Sequence, residues 1–290
     1  TGIFMASVEN RRSRKALQAI QDVNEVNKGI IRYQPSQIEA FFEENTPLEN
    51  IMFSGGANSI RIRAITRAIE CAYVQGYSLM VLHCGDRNLE QNLNDYFGSG
   101  NLCFINNTNP LYDPFTKDSK INTVGRYYLK GVSDYIRANH KTPRCYMYIN
   151  CPHLTFIDGV NKAESQGRIS QDQSRAIISQ IMQGEVERGN IETFFQSFYR
   201  QSAAILAQKS NAANAVNFSI AAHRQKIFCV DVQTNINTLL INMLINEAYA
   251  LMTLGPKVMI VIDGIQIIST DVLRDCLKRA GTNLSVVVSL

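Results

Sequence analysis

The sequence predicts an α/β fold in which helices flank a mostly parallel β-sheet, with a mainly helical insertion between two parts of that sheet. Short apolar runs alternate with helical segments near both ends of the chain, and the first run leads directly into a glycine-rich turn. Parallel strands that are covered on both faces appear in a sequence as continuous apolar runs. With 290 residues, 45% of them hydrophobic, the chain can bury a substantial core.

The sequence predicts a helical N-terminal segment at residues 1–48, a lead-in that precedes the sheet. The first part of the α/β domain is predicted at 49–120, where the order of strand, glycine-rich loop, helix and strand is that of a βαβ unit. Gly76 is expected to end the helix of this unit. The predicted elements are a strand at 50–53, a helix at 60–75, a strand at 78–83, a helix at 89–96 and a strand at 102–105.

The insertion is predicted at 121–213, and the second part of the α/β domain at 214–290. Helical periodicity covers 124–138, 170–183 and 191–208 of the insertion, whereas 145–149 resembles a strand. Tyr146 and Tyr148 alternate within that stretch, so we expect them to pack in a sheet rather than to stack on nucleobases. The second part is predicted as a strand at 226–232, a helix at 238–254, a strand at 258–262, a helix at 271–280 and a strand at 284–289.

Composition excludes some classes of protein. The seven cysteines are scattered and mostly embedded in apolar runs, which predicts reduced core thiols and neither a disulfide framework nor a metal site. No apolar run approaches the roughly 20 residues of a membrane-spanning helix, so we expect a cytoplasmic protein without a direct membrane span. The formal net charge of +4 does not by itself predict nucleic-acid binding.

The glycine-rich turn is the first candidate site. A turn of this kind between a buried strand and a helix aims backbone N–H groups and the positive end of the helix dipole at one point, which favours an anion. The same turn without a ligand is an alternative interpretation. The candidate nucleotide-binding residues of this segment are Gly55, Gly56, Ala57, Asn58, Ser59, Ile60, Arg61 and Ile62.

This segment departs from the P-loop pattern G-x-x-x-x-G-K-[ST] after its first glycine. Ile60 replaces the second glycine, Arg61 replaces the lysine that contacts the β and γ phosphates, and Ile62 replaces the hydroxyl that binds Mg²⁺. Arg61 keeps the charge but has a planar fork instead of a compact ammonium group. Hydrolysis of ATP is therefore in doubt.

A second candidate is the strand that ends in Asp263, where an acidic strand of the Walker B type would place a carboxylate for Mg²⁺. Gly264 follows, in the place where hydrolytic members carry a glutamate. Gln266 and Ser289 fall where sensor residues of such sheets often lie, and Asp86 follows the second strand on the edge that binds ligands. An ordinary Asp-Gly turn and ordinary surface positions are the alternatives.

The order of these segments resembles the FtsK/HerA-like superfamily of P-loop ATPases, and within it the coupling-protein ATPases of type IV secretion and conjugation. The resemblance covers about residue 49 to the end. It implies a RecA-like sheet, an all-α insertion, and hexameric rings that bind ATP with Mg²⁺ and move DNA or protein through a membrane channel. The lysine, the hydroxyl and the catalytic glutamate of that family are missing here.

These observations predict a pseudo-ATPase, a structural or docking module of a DNA- or protein-translocation machine. Its expected partners are other subunits of that machine, further copies of this chain, and DNA. The cofactor is either ATP with Mg²⁺ or none, and no catalytic residue is assigned. One alternative is an active ATP-hydrolysing motor in which Arg61 replaces the lysine. Another is an unrelated binding domain that uses no nucleotide, because fold alone does not establish function.

Overall fold

The structure is a computed structural model that describes residues 50–53, 57–114, 126–139, 141, 143–149, 153–184, 188–232 and 238–289. The lead-in predicted at 1–48 and the two glycines Gly55 and Gly56 lie outside the described residues. The chain divides into two compact units. The first contains the described residues up to Phe104 and from Ala221 onward, and the second runs from Ile105 to Ile220.

A single six-stranded sheet organises the α/β part of the chain. The strands are β1 (Ile51–Phe53), β2 (Ser78–His83), β3 (Leu102–Ile105), β4 (Ile227–Asp231), β5 (Val258–Asp263) and β6 (Leu284–Ser289). Their spatial order is β1-β6-β5-β2-β4-β3, and the registered pairs are parallel. The predicted α/β fold is therefore confirmed, and the arrangement is consistent with a RecA-like sheet.

Helices cover this sheet because its strands are apolar on both faces. The helices of the first unit are α1 (Asn58–Val74), α2 (Arg87–Phe97), α9 (Thr238–Met252) and α10 (Thr270–Arg279). One strand face, including Val81 and Val261, packs with α1 and α2 in a continuous apolar cluster. The alternate residues, including Leu82 and Ile260, are also fully buried. Alternation along a strand points successive side chains to opposite faces, so both faces of the sheet are covered.

The second unit is mainly helical in its described residues. It contains α3 (Arg126–Ala138), α4 (Cys145–Ile149), α5 (His153–Ser165), α6 (Gln171–Gln183) and α7 (Arg188–Ser202), and α8 (Phe218–His223) leads out of it. Ser170 begins α6 with a capping box, in which Ser170 and Gln173 bond each other's backbone N–H groups. No helix in the described part of the chain has the length and apolar character needed to cross a bilayer.

One predicted element is wrong. Residues 145–149 form the short helix α4 instead of a strand, so Tyr146 and Tyr148 do not pack in a sheet. The backbone N–H of Cys145 donates to both carboxylate oxygens of the buried Asp113, at 3.3 and 3.2 Å. Tyr148 is buried and its hydroxyl lies 2.5 Å from the hydroxyl of Ser133. These tertiary contacts outweigh the β-propensity of two tyrosines.

Candidate functional site

The candidate residues gather at one edge of the sheet. In a parallel sheet all strands end at the same edge, where α/β proteins bind ligands. Asp263 ends β5, Ser289 ends β6, and Asp86 follows β2 and caps α2. In the order β1-β6-β5-β2 these three strands are neighbours, so their ends lie side by side along that edge.

Arg61 is the centre of this cluster. Its Nη1 donates to Asp263 Oδ1, and its Nη2 donates to Asp86 Oδ2 at 2.5 Å. Nε donates to Asn58 Oδ1 at 3.0 Å, and Nη2 also contacts that oxygen. The planar guanidinium, with its five N–H donors, can bind several acceptors at once. It therefore links α1, the β2–α2 turn and the end of β5.

The carboxylate of Asp263 has a second partner. Ser289 Oγ donates to Asp263 Oδ1 at 2.6 Å and accepts the Gly264 backbone N–H at 3.0 Å. The side chain of Asp263 is only 3% exposed, against 19% for Arg61. A nearly buried carboxylate requires charge compensation and hydrogen bonds, and both are supplied here by the protein itself.

Asp86 is held from two directions. Its Oδ1 accepts the Leu89 backbone N–H at 3.0 Å, which caps α2, while its Oδ2 pairs with Arg61. Partial burial raises the pKa of the Asp86 carboxyl, but the hydrogen bonds from Leu89 and Arg61 lower it more, so the net pKa lies below its ordinary value. The carboxylate is therefore ionised at neutral pH.

His83 supports the turn that carries Asp86. It is fully buried at the end of β2, and its Nδ1 accepts the Asp86 backbone N–H at 3.3 Å. Its Nε2 lies 3.4 Å from Glu90 Oε1 on α2. This role could not be predicted from the sequence, in which His83 is only the last residue of an apolar strand.

The residues present do not fit Mg²⁺ in the manner of a P-loop site. Such a site needs a hydroxyl after the basic residue and a carboxylate free to bind the ion through water. Ile62 takes the hydroxyl position and lies in the apolar cluster beneath α1, with 6% of its surface exposed. The Asp263 carboxylate is bonded to Arg61 and Ser289.

The position after Asp263 also disfavours a glutamate. Gly264 has φ of +93°, a left-handed conformation that residues with a side chain rarely adopt. A Cβ at Gly264 would lie 2.7 Å from Gln266 Nε2, so the amide of Gln266 occupies the adjacent space. Gln266 itself is exposed. The backbone at this point is thus adapted to glycine.

The remaining members of the predicted loop contribute unequally. Ala57, Asn58 and Ser59 are exposed at the start of α1, and Ile60 is half-buried. Ala57 provides no side-chain cap, and its carbonyl accepts the N–H groups of Ile60 and Arg61. Thus the structure brings Asn58, Arg61 and Asp263 together, as well as Asp86 and Ser289.

A comparison with protein-family models and with curated protein sequences finds no match to this chain.

Proposed function

We propose that this chain is a degenerate P-loop-like domain, a pseudo-ATPase that serves as a structural or docking module of a machine that translocates DNA or protein. The observation that carries the first half of this proposal is the pairing of Arg61 with Asp263 and Asp86. The basic residue at the proposed lysine position is bound to the carboxylate at the proposed Walker B position.

Electrostatics supports the loss of nucleotide hydrolysis. One guanidinium faces two carboxylates, so these three side chains carry a net charge of −1 and disfavour a polyphosphate. A preorganised donor aimed at the charge that develops in a transition state is worth several kcal/mol of barrier, about 3–4 kcal/mol for one oxyanion-hole donor. Arg61 would have to leave two ion pairs before it could supply that contact.

The second half of the proposal follows from the order of the sequence motifs and their resemblance to the coupling-protein ATPases. A pseudo-ATPase in such a machine would contact other subunits and, through them, DNA or a protein substrate. We place it in the cytoplasm, in association with a membrane complex. Its self-association should not depend on nucleotide, since the proposed site does not use one.

The first experiment measures ATP binding by calorimetry with and without Mg²⁺, together with phosphate release, on the wild type and on Arg61→Ala. We expect neither binding nor turnover at millimolar nucleotide. Arg63→Ala is the control, since Arg63 is exposed on the same helix. Tight Mg²⁺-dependent binding that is lost in Arg61→Ala but kept in Arg63→Ala, with turnover, would overturn the proposal in favour of an active motor.

A second measurement addresses the assembly. Light scattering after size-exclusion chromatography gives the oligomeric state of the wild type with and without ATP and Mg²⁺. We expect the same distribution in both conditions. Assembly that requires ATP would contradict a nucleotide-independent module.

A further inference from the structure

The cluster around Arg61 has the composition of a cation site. Oxygen atoms of three side chains converge on the guanidinium, namely Asn58 Oδ1, Asp86 Oδ2 and Asp263 Oδ1. Carboxylate and amide oxygens are the ligands that hard divalent cations such as Mg²⁺ and Ca²⁺ take in proteins. In the wild type the positive charge between these oxygens is that of the Arg61 guanidinium.

The cost of leaving these oxygens without a cation is high. Asp263 is almost fully buried and Asp86 is 17% exposed, so neither carboxylate can recover its full hydration while the fold persists. Without Arg61 the two carboxylates would repel each other across the space that the guanidinium had filled. Two like charges in one site favour either protonation of one of them or the binding of an external cation.

We infer that the Arg61 guanidinium is the resident cation of this site, in the place of a divalent metal ion, and that the two exclude each other. This inference rests on the proposed loss of the nucleotide site and deepens it. The wild type does not take a divalent cation between Asp86 and Asp263, because Arg61 already binds both carboxylates. Once Arg61 is removed, the same oxygens form a weak divalent-cation site.

The size of the expected effect follows from ligand linkage. We expect a dissociation constant of about 1 mM, at the weak end of the range for Ca²⁺ sites in proteins, because the site has only two carboxylates. A ligand at about 10 mM then shifts the folding equilibrium by about tenfold, which raises the thermal midpoint by about 2 °C in a chain of 290 residues. That shift is readily measured.

The experiment compares thermal unfolding of the wild type, Arg61→Ala and Arg63→Ala, each with Mg²⁺ or Ca²⁺ and each in a monovalent salt of equal ionic strength, without nucleotide. We expect divalent cations to stabilise Arg61→Ala alone. The double variant Arg61→Ala/Asp263→Asn should lose this gain, since it lacks one carboxylate. Calorimetry with CaCl₂ checks the binding directly.

Two results would overturn the inference. One is that divalent cations stabilise the wild type as much as Arg61→Ala, which would mean that Arg61 does not exclude them. The other is that Arg61→Ala gains no more than Arg63→Ala. Should Arg61→Ala fail to fold in monovalent salt, Arg61→Gln keeps most of the volume, and the same comparison is made on it.

Failure of this inference can be distinguished from failure of the proposed function. ATP binding by the wild type would end the pseudo-ATPase proposal, whatever divalent cations do to Arg61→Ala. A failure of divalent cations to bind Arg61→Ala would end the present inference, while the wild type could still be unable to bind ATP.

Discussion

Arg61 and Asp263 depend on each other unequally. The Asp263 side chain is nearly buried, so its carboxylate cannot be hydrated when its partner is removed. The Arg61 side chain keeps some contact with solvent. Removing one member of a buried ion pair leaves the other uncompensated, which destabilises a protein more than the loss of the attraction itself. A substitution that removes Arg61 should therefore destabilise the protein more than one that neutralises Asp263.

We expect Arg61→Ala to lower the free energy of unfolding by about 2–4 kcal/mol, because it leaves the Asp263 carboxylate without its cation. Asp263→Asn should cost less, about 1–2 kcal/mol, since Arg61 can still bind Asp86 and the amide can still accept from Ser289. Urea unfolding at neutral pH measures both. The control Arg63→Ala should cost about 1 kcal/mol or less, because an exposed ionic contact contributes at most about that much. Equal losses in Arg61→Ala and its control would contradict the ion pair.

The lowered pKa of Asp86 predicts a dependence of stability on pH. A carboxyl group whose pKa is lower in the folded state contributes stability above its unfolded pKa of about 3.9, and this contribution is lost as the pH falls through the folded value. Asp86→Asn keeps a side chain that can cap α2 but removes the charge. The stability difference between the wild type and Asp86→Asn should be constant from about pH 5 to 7 and shrink below about pH 4. Unfolding curves across this range test it, and a difference that does not change with pH would refute it.

Gly264 should not accept a glutamate, the residue that hydrolytic P-loop ATPases carry after the acidic strand. Gly264→Glu forces a side chain into a left-handed conformation and against Gln266, for which we expect a loss of about 1–3 kcal/mol and no gain in phosphate release. Gly76→Glu is the matched control, since Gly76 has φ of +76° but open space around a Cβ. Because the exposed Gln266 side chain can move aside, we expect most of the loss in both variants to come from the left-handed backbone conformation. Phosphate release by Gly264→Glu would show that the site lacks only this carboxylate.

At the scale of elements, the contact between α3 and α6 depends on a glycine. A Cβ at Gly131 of α3 would lie 2.7 Å from Ile181 Cγ1 and 3.2 Å from the Ile177 backbone oxygen, both on α6. Glycine usually weakens a helix by about 1 kcal/mol relative to alanine, so its presence here has a packing reason. The two helices approach each other more closely than an alanine would allow.

Replacing a glycine in a helix by alanine usually stabilises the helix, but at this contact we expect the replacement to destabilise it. Gly131→Ala should destabilise the second unit by about 1–3 kcal/mol through overpacking. Gly189→Ala is the comparison, because nothing lies within 4 Å of a Cβ at Gly189 in α7. It should be neutral or stabilising by up to about 1 kcal/mol. The thermal midpoints of the two variants test this prediction. A higher midpoint for Gly131→Ala would mean that α3 and α6 are farther apart than described.

At the scale of the whole molecule, stability resides in the apolar layers on both faces of the sheet. Leu82 in β2 is fully buried, whereas Leu254, just before β5, is 68% exposed. The same substitution at both positions separates burial from residue type. Leu82→Ala should lower the free energy of unfolding by about 2–5 kcal/mol, whereas Leu254→Ala should change it by about 0.5 kcal/mol or less. Chemical unfolding followed by circular dichroism tests this, and similar values for both would contradict the described core.

Most of the sheet could be predicted from the sequence. The predicted strands at 78–83, 102–105 and 284–289 coincide with β2, β3 and β6, and 258–262 falls one residue short of β5. Runs of β-branched and other apolar residues carry this information locally. Helix ends were less accurate, since the helix predicted at 191–208 is Arg188–Ser202. The helix His153–Ser165 lies in the stretch predicted as mainly helical but was not delimited, and Phe218–His223 was missed. Tertiary contacts set those limits.

The candidate site was predicted in its parts but not in its connections. The sequence by itself determined that Arg61 follows a glycine-rich turn at the start of a helix, that an aspartate ends a buried strand, and that Asp86 follows the second strand, because strand and turn signals are local. Only the tertiary structure decided that Arg61 binds Asp86 and Asp263, which lie 25 and 202 residues away in the chain. The order of strands brings these residues to one edge, and that order arises from the packing of whole elements.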